Sequence, residues 1–288
     1  MLRSVVNSSK TIFSILCPTR QRPSNVIRLM ESIEKTITGF NRVELLFYVD
    51  EDDETFPELR ASRIMVKKFV GPRVWISNAQ NFLAMNATGE ILMTAGDDMV
   101  FKTFEWDHIV SQKFMNIEDK IGLVFGNDLG THAGTIATHG FFHKTWFQAL
   151  GTWVQPGRGS LWDLWSTENA RILGRLFYIE SLVIEHLHFR QSHEVLNFDK
   201  TYEYAGKLNA SFRPIETYNK MKRERRIDRL ILRNYMKDKP PIEPNYLIAE
   251  TLVKSLLKNK SLVEKTRVLT LTNFSLLLLI LRKLFRIK

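Results

Sequence analysis

Short β-branched, apolar runs alternate along the first half of the chain with longer stretches whose apolar positions recur at helical spacing. That order predicts an α/β fold, a mostly parallel sheet covered by helices. Thr11 to Cys17 reads as the first strand, ended by Pro18, and Ser24 as the cap of a helix carrying Val26, Ile27, Met30 and Ile33 on one face. Val43 to Val49 is a second strand running into the acidic cluster Asp50, Glu51, Asp52, Asp53 and Glu54, and Ile64 to Val70 is a third, closed by Gly71 and Pro72. Ser77 to Ala87 reads as a helix with Ala79, Phe82, Leu83 and Asn86 along one side and Gly89 placed to stop it. Ile91 to Ala95 is a buried fourth strand. It delivers Gly96, Asp97 and Asp98 at its C-terminal end, where open α/β sheets bind ligands.

Further along, Ile121 to Phe125 and Phe177 to Leu187 read as strands, Trp162 to Leu173 as a helix, and Tyr218 to Met236 as a strongly basic helix. Pro240, Pro241 and Pro244 mark a linker, and Pro156-Gly157-Arg158-Gly159 reads as a mobile loop able to close over a ligand. Neither an internal repeat nor a low-complexity segment is present apart from the leucine block near the C-terminus.

Composition narrows the class. With 288 residues, 44% hydrophobic and 25% charged, the chain is globular, either one large α/β domain with an appendage or two small domains. A single cysteine, Cys17, excludes a disulfide framework and a Cys-based zinc site, and fits a reducing compartment. The net charge of +10 is not spread evenly: residues 212 to 288 carry 19 Lys and Arg against 7 Asp and Glu, whereas residues 1 to 211 carry 22 against 24. A basic C-terminal part suggests attachment to an anionic surface, either membrane or nucleic acid. Met1 to Lys10 is polar and Ile12 to Cys17 is too short for a secretory signal, so the expected location is the cytoplasm, peripheral at the inner face of the membrane. The uncharged run Val268 to Leu281 has fourteen residues, fewer than the roughly 20 a helix needs to span a bilayer. Flanked by Arg282, Lys283, Arg286 and Lys288, it reads as an in-plane helix with snorkelling basic ends, or else as a helix packed on the main domain.

The candidate chemistry centres on Gly96-Asp97-Asp98. Paired carboxylates after an apolar strand suit Mg²⁺ or Mn²⁺, although a strand-end turn with a helix-capping Asp has the same pattern. His186 and His188 alternate on the late strand and so share a face. Asp163 lies between Trp162 and Trp165, whose rings stack on sugars and raise a carboxylate's pKa by desolvation; alternatively it caps its helix.

Cys17-Pro18-Thr19-Arg20-Gln21-Arg22-Pro23 after the first strand, Tyr48-Val49-Asp50 after the second, and Ser77 to Glu90 ahead of the acidic pair occur in an order that resembles GT-A glycosyltransferases of the family 2 type, over roughly residues 10 to 205. Thr138-His139-Gly140-Phe141-Phe142, Leu173-Gly174-Arg175 and Glu185-His186-Leu187-His188 are similar to bacterial and phage members. The resemblance implies a Rossmann-like GT-A domain over residues 1 to 211, with a donor half at about 10–98, an acceptor half at about 99–211, and a basic helical extension at 212–288. It further implies inverting transfer of a hexosyl group from a nucleoside diphosphate sugar to a hydroxyl. Pro18, Thr19 and Arg20 would border the nucleotide and Asp50 its base or ribose. Asp97 and Asp98 would carry Mn²⁺ or Mg²⁺ and contact the donor, with His186 completing the cation's ligands and His188 beside it.

His139, with Asp128 and Lys144, falls where the donor sugar and acceptor are expected, and Asp163 is the expected catalytic base. Glu168 competes for that role, because Glu168-Asn169 aligns with a Glu-Asp pair common in the family. The sequence departs from the family at Ala95, where the first carboxylate of Asp-X-Asp is expected; weak or metal-independent binding would follow. The implied acceptor is a glycan or lipid-linked saccharide of surface glycan assembly. Two alternatives remain: a phage or viral transferase acting on modified DNA or a structural protein, and a non-catalytic module that binds nucleotide-sugar or glycan.

Overall fold

Strands β1 (Ile12–Thr19), β2 (Arg42–Asp50), β3 (Met65–Gly71) and β4 (Ile91–Thr94) are parallel neighbours in the order β3-β2-β1-β4. The computed structural model describes residues 12–39, 42–130, 132–152, 161–188, 199, 202, 203, 207 and 214–238. The sheet continues through β7 (Gly140–His143), antiparallel to β4, then β6 (Leu123–Asn127), β8 (Leu176–His186) and a short edge strand β5 (Met99–Phe101). Helices α1 (Pro23–Thr36), α2 (Ile76–Asn86), α3 (Trp106–Met115), α4 (Lys144–Leu150), α5 (Trp162–Ile172), α6 (Pro214–Lys220) and α7 (Lys222–Tyr235) cover it. The result is an eight-stranded mixed sheet with flanking helices, an α/β architecture consistent with the GT-A Rossmann-like fold.

Alternation along β1 explains why both faces are covered. Phe13, Ile15 and Cys17 point into one apolar layer with α1 and α3, while Leu16 points into the other with α2, α4 and α7. The inner strands therefore read as continuous apolar runs. Glu44 interrupts the run on β2 and is fully buried, yet its carboxylate accepts from Ser14 Oγ (2.6 Å), Lys67 Nζ (2.8 Å) and the Thr88 N–H (2.6 Å), so no buried charge is left unpaired.

Several local expectations change. β1 runs through Pro18 to Thr19, because β4 stops opposite Leu16 and no ladder partner on that side needs the N–H that Pro18 lacks. Ser24 does not cap α1; Pro23 takes the first helical position and Arg22 precedes it. On α2 the buried side is Ser77, Ala79, Gln80, Leu83 and Ala84, with Phe82 and Asn86 turned outward, and the helix ends at Asn86 before Gly89 is reached. The basic helix is two helices broken at Met221. Two of its arginines are internal: Arg225 and Arg229 are buried against α5, so part of the positive charge serves the packing. The proline linker, the Gly157-Arg158-Gly159 loop and the run Val268 to Leu281 lie outside the described residues. Among the described residues no helix is long and apolar enough to cross a membrane.

Register in the second half decides where the late histidines go. At Gly126 the β6/β8 register shifts, and a Cβ there would overlap the Leu182 carbonyl, so only glycine lets the strands approach. Met99 on β5 lies opposite His186 on β8, and the Leu187 N–H donates to the Asp98 carbonyl (2.8 Å). These contacts fix His186 beside the acidic turn.

Candidate active site

The turn after β4 divides the two carboxylates. Asp97 faces α1: its Oδ2 accepts from Thr19 Oγ1 (2.6 Å), and its Oδ1 from Arg22 (3.0 Å) and Asn25 (3.4 Å). Asp98 faces the second half: its Oδ2 accepts from the Tyr202 hydroxyl and lies 3.3 Å from His186 Nε2. Burial alone would raise the Asp98 carboxyl, but His186, His139 and Tyr202 overcome it and hold the group well below the usual carboxylate range. At Gly96 a Cβ would come within 2.5 Å of Asp98 Oδ1, so glycine leaves that carboxylate its place in the turn.

His139 arrives from the residue before β7, whose pairing with β4 sets it beside the turn. Its Nδ1 is 3.3 Å from the Thr94 carbonyl, which assigns the proton to Nδ1 and leaves the Nε2 lone pair directed elsewhere. Burial, reinforced by the charge of His186, lowers the His139 pKa to about 3, so the ring is neutral at physiological pH. The His139 and His186 ring centroids are 4.6 Å apart, edge to face. His139 Nε2 and His186 Nδ1 are both buried with no hydrogen-bond partner among the described residues. Asp98, His139 and His186 each offer a ligand atom, all within 4.8 Å of one another. One carboxylate oxygen with two imidazoles fits a divalent cation, and the orphaned His139 Nε2 is what such an ion would satisfy.

Asp97 and His188 stand outside that cluster. β8 ends at His186, so the two histidines do not alternate on a strand; instead the His188 N–H donates to the His186 carbonyl (2.8 Å) in a tight turn. The turn still brings the rings into edge contact at 5.3 Å, and His188 also packs on Tyr202 at 4.9 Å.

At the neighbouring strand ends, Arg20 is gripped by Asp50 (3.0 Å) and by both oxygens of Asp52, and Arg73 lies 3.8 Å from Asp50. Arg20 is thus committed to the acidic loop after β2, beside Asp50 and at the end of the strand that holds Pro18 and Thr19. Arg22, which reaches Asp97, also bonds Asp199 through two nitrogens (2.7 and 2.8 Å) and stacks on the Tyr202 ring (4.2 Å). Arg22, Asn25, Arg28, Asp98, Asp199 and Tyr202 line an open cleft of ≈ 230 Å³. Roles for Arg22, Asp199 and Tyr202 were not visible in the sequence. Among the residues that follow β1, Arg22 carries no distinguishing signal, and Tyr202 meets Asp98 across a separation that no local pattern encodes.

The two candidate bases have different surroundings. Asp163 lies in the first turn of α5, its Oδ1 accepting from the Leu164 N–H (2.8 Å); Leu161, in left-handed backbone, holds the cap position. Burial raises its carboxyl, and its charge, like that of Asp128, acts on His186. Glu168 is tied to Arg225 (2.9 Å), Arg229 (3.2 Å) and the Tyr218 hydroxyl, on the side where α5 meets α7. Lys144 pairs with Glu90 at 3.7 Å.

No protein-family model matches the chain, and no curated protein matches it in sequence. Two solved structures resemble the chain in part, at low identity. TarS of S. aureus, residues 1–349 in complex with UDP, is 10% identical with a TM-score of 0.45, the match covering 60% of this chain and 59% of that one. The mannosyltransferase PcManGT from Pyrobaculum calidifontis, in complex with GDP-Man and Mn²⁺, is 13% identical with a TM-score of 0.46, covering 62% of this chain and 58% of that one. The match thus spans about three fifths of each of those chains.

Proposed function

We propose that the protein is a glycosyltransferase that moves a hexosyl group, with inversion, from a nucleoside diphosphate sugar to a hydroxyl acceptor. One observation carries this reading: the parallel strands β1, β2 and β4 end at the same edge of the sheet, and there Asp98, in the turn after β4, meets His139 and His186 from the second half. Open α/β sheets bind nucleotides at that edge. Strand ends carrying Pro18, Thr19 and Asp50 border the nucleotide, while Arg22 and Arg28 line the cleft next to Asp98, where a diphosphate needs donors. Asp98, His139 and His186 would hold a Mn²⁺ or Mg²⁺ ion, which when bound supplies neutralising charge for the leaving diphosphate.

The chain's own residues do the rest. Asp163, with a carboxyl raised by burial, takes the proton of the acceptor hydroxyl as that oxygen attacks the anomeric carbon from the face opposite the diphosphate. Glu168 holds α5 to α7. A glycan or lipid-linked saccharide is the acceptor, reached from the cytoplasmic face of a membrane by the basic C-terminal part. Asp163→Asn separates binding from chemistry: donor affinity stays within about twofold and turnover falls at least about 100-fold. Near-normal turnover in that variant would remove Asp163 from the role.

A further inference from the structure

We infer that His139 supplies the ligand missing at Ala95, making the cation site a two-histidine, one-carboxylate site that prefers Co²⁺, Zn²⁺ and Mn²⁺ to Mg²⁺. The inference rests on the reading that a divalent cation works at this site, and goes beyond it by giving His139 the place of the missing carboxylate and naming the ions that this selects.

Ala95 is buried in the apolar layer beneath the turn and has no ligand atom to offer. Asp97 does not replace it, because Thr19, Arg22 and Asn25 occupy both its oxygens and a guanidinium already balances its charge. Oxygen ligands from the β4 turn therefore come down to Asp98. What the strand end does contribute is orientation: the Thr94 carbonyl, one residue before Ala95, accepts the Nδ1 proton of His139 and directs the other nitrogen inward. A backbone carbonyl behind a ring is the usual way a ligating imidazole is held in one tautomer. His139 Nε2 is then a buried acceptor with no donor among the described residues.

Spacing supports a shared ion. Two neighbouring ligands, each about 2.1 Å from one metal, lie about 3.0–3.4 Å apart. Asp98 Oδ2 and His186 Nε2 are 3.3 Å apart, and the cluster as a whole spans no more than 4.8 Å. Gly96 leaves room for Asp98, since a Cβ there would come within 2.5 Å of its Oδ1. Ion preference follows from the ligands. Mg²⁺ binds oxygen almost exclusively and gives up its waters reluctantly, whereas imidazole favours the later first-row ions in the order Mn²⁺, Co²⁺ and beyond.

The test uses the full chain and the metal chlorides alone, with no nucleotide present. Calorimetric titrations with CoCl₂, MnCl₂ and MgCl₂ give the affinities. The proton NMR spectrum of the Co²⁺ complex counts coordinated rings through their strongly shifted, solvent-exchangeable imidazole N–H signals. The expected result is Co²⁺ tighter than Mn²⁺, and both at least about tenfold tighter than Mg²⁺. Two shifted N–H signals are expected in the wild type, one in His139→Gln, and two in His188→Gln. His139→Gln weakens Co²⁺ at least about tenfold. His139→Asp, which returns a carboxylate, narrows the gap between Co²⁺ and Mg²⁺. Metal-free melting curves of the variants show that each is folded. Equal affinity for Mg²⁺ and Co²⁺, or two shifted N–H signals persisting in folded His139→Gln, would overturn the inference while leaving a cation site in place. Failure of all three ions to bind would overturn the cation site as well.

Discussion

Asp97 and Asp98 are adjacent in the chain and opposite in surroundings, and single substitutions should separate them. Asp97→Asn leaves the buried Arg22 without its inner partner and is expected to lower stability by about 2–3 kcal/mol, seen as a shifted denaturation midpoint. Asp98→Asn acts on the site instead: calorimetric Mn²⁺ binding is expected to weaken at least about tenfold, because the only carboxylate of the cluster is gone. Equal loss of metal affinity in both variants would show that the carboxylates act as a pair. The acidic turn itself was legible from its place after an apolar run. Which oxygen meets which partner was not, because that depends on the backbone path through Gly96 and on side chains from α1 and from Asp199 and Tyr202. Arg20 shows the same limit. It is expected at the nucleotide, and its pairing with Asp50 and Asp52 follows from the shape of the loop after β2, which no local pattern encodes.

Among the elements, α4 depends on a titrating cap. His143 Nδ1 accepts from the Thr145 N–H (3.2 Å) and hydroxyl (2.6 Å), which only the neutral ring can do. Burial lowers its pKa to about 4 from 6.5. The unfolded chain therefore takes the proton first, so this contribution to stability is complete above about pH 6.5 and is lost as pH falls towards 4. His143→Asn keeps an acceptor at the cap without a titration, and melting temperatures measured from pH 7 to 4 should show a flatter profile than the wild type. An unchanged slope would place the pH dependence elsewhere.

The α5–α7 contact makes a second case. Glu168→Gln weakens the pairs with Arg225 and Arg229 and is expected to cost about 1–3 kcal/mol of stability while kcat stays within about twofold. A large fall in kcat at unchanged stability would restore Glu168 as the base. Most of the longer strands and helices were legible because their periods run long enough to register, but α3, with little apolar periodicity, was not. Neither were α4 and the short strands β5 and β7, and those two strands are what seat His186 and His139 beside the turn. The single basic helix expected at Tyr218 to Met236 also came apart, since Arg225 and Arg229 look like surface charge in sequence and turn inward to Glu168 and Asn169 in three dimensions.

On the scale of the whole molecule, the first half builds a parallel platform that ends in the acidic turn, and the second half adds β7 and β8, which bring His139 and His186 back to it. Neither half alone assembles Asp98, His139 and His186. The central claim is that this shared cleft binds a nucleoside diphosphate sugar with a divalent cation. Its most direct test is a thermal-shift panel of UDP, GDP, CDP and dTDP sugars with and without Mn²⁺, since a ligand that binds only the folded state raises the melting temperature. The expected result is a rise with one nucleotide class, larger with Mn²⁺ than without, and absent in Asp98→Asn. No shift with any of the four, with or without the metal, would contradict the claim.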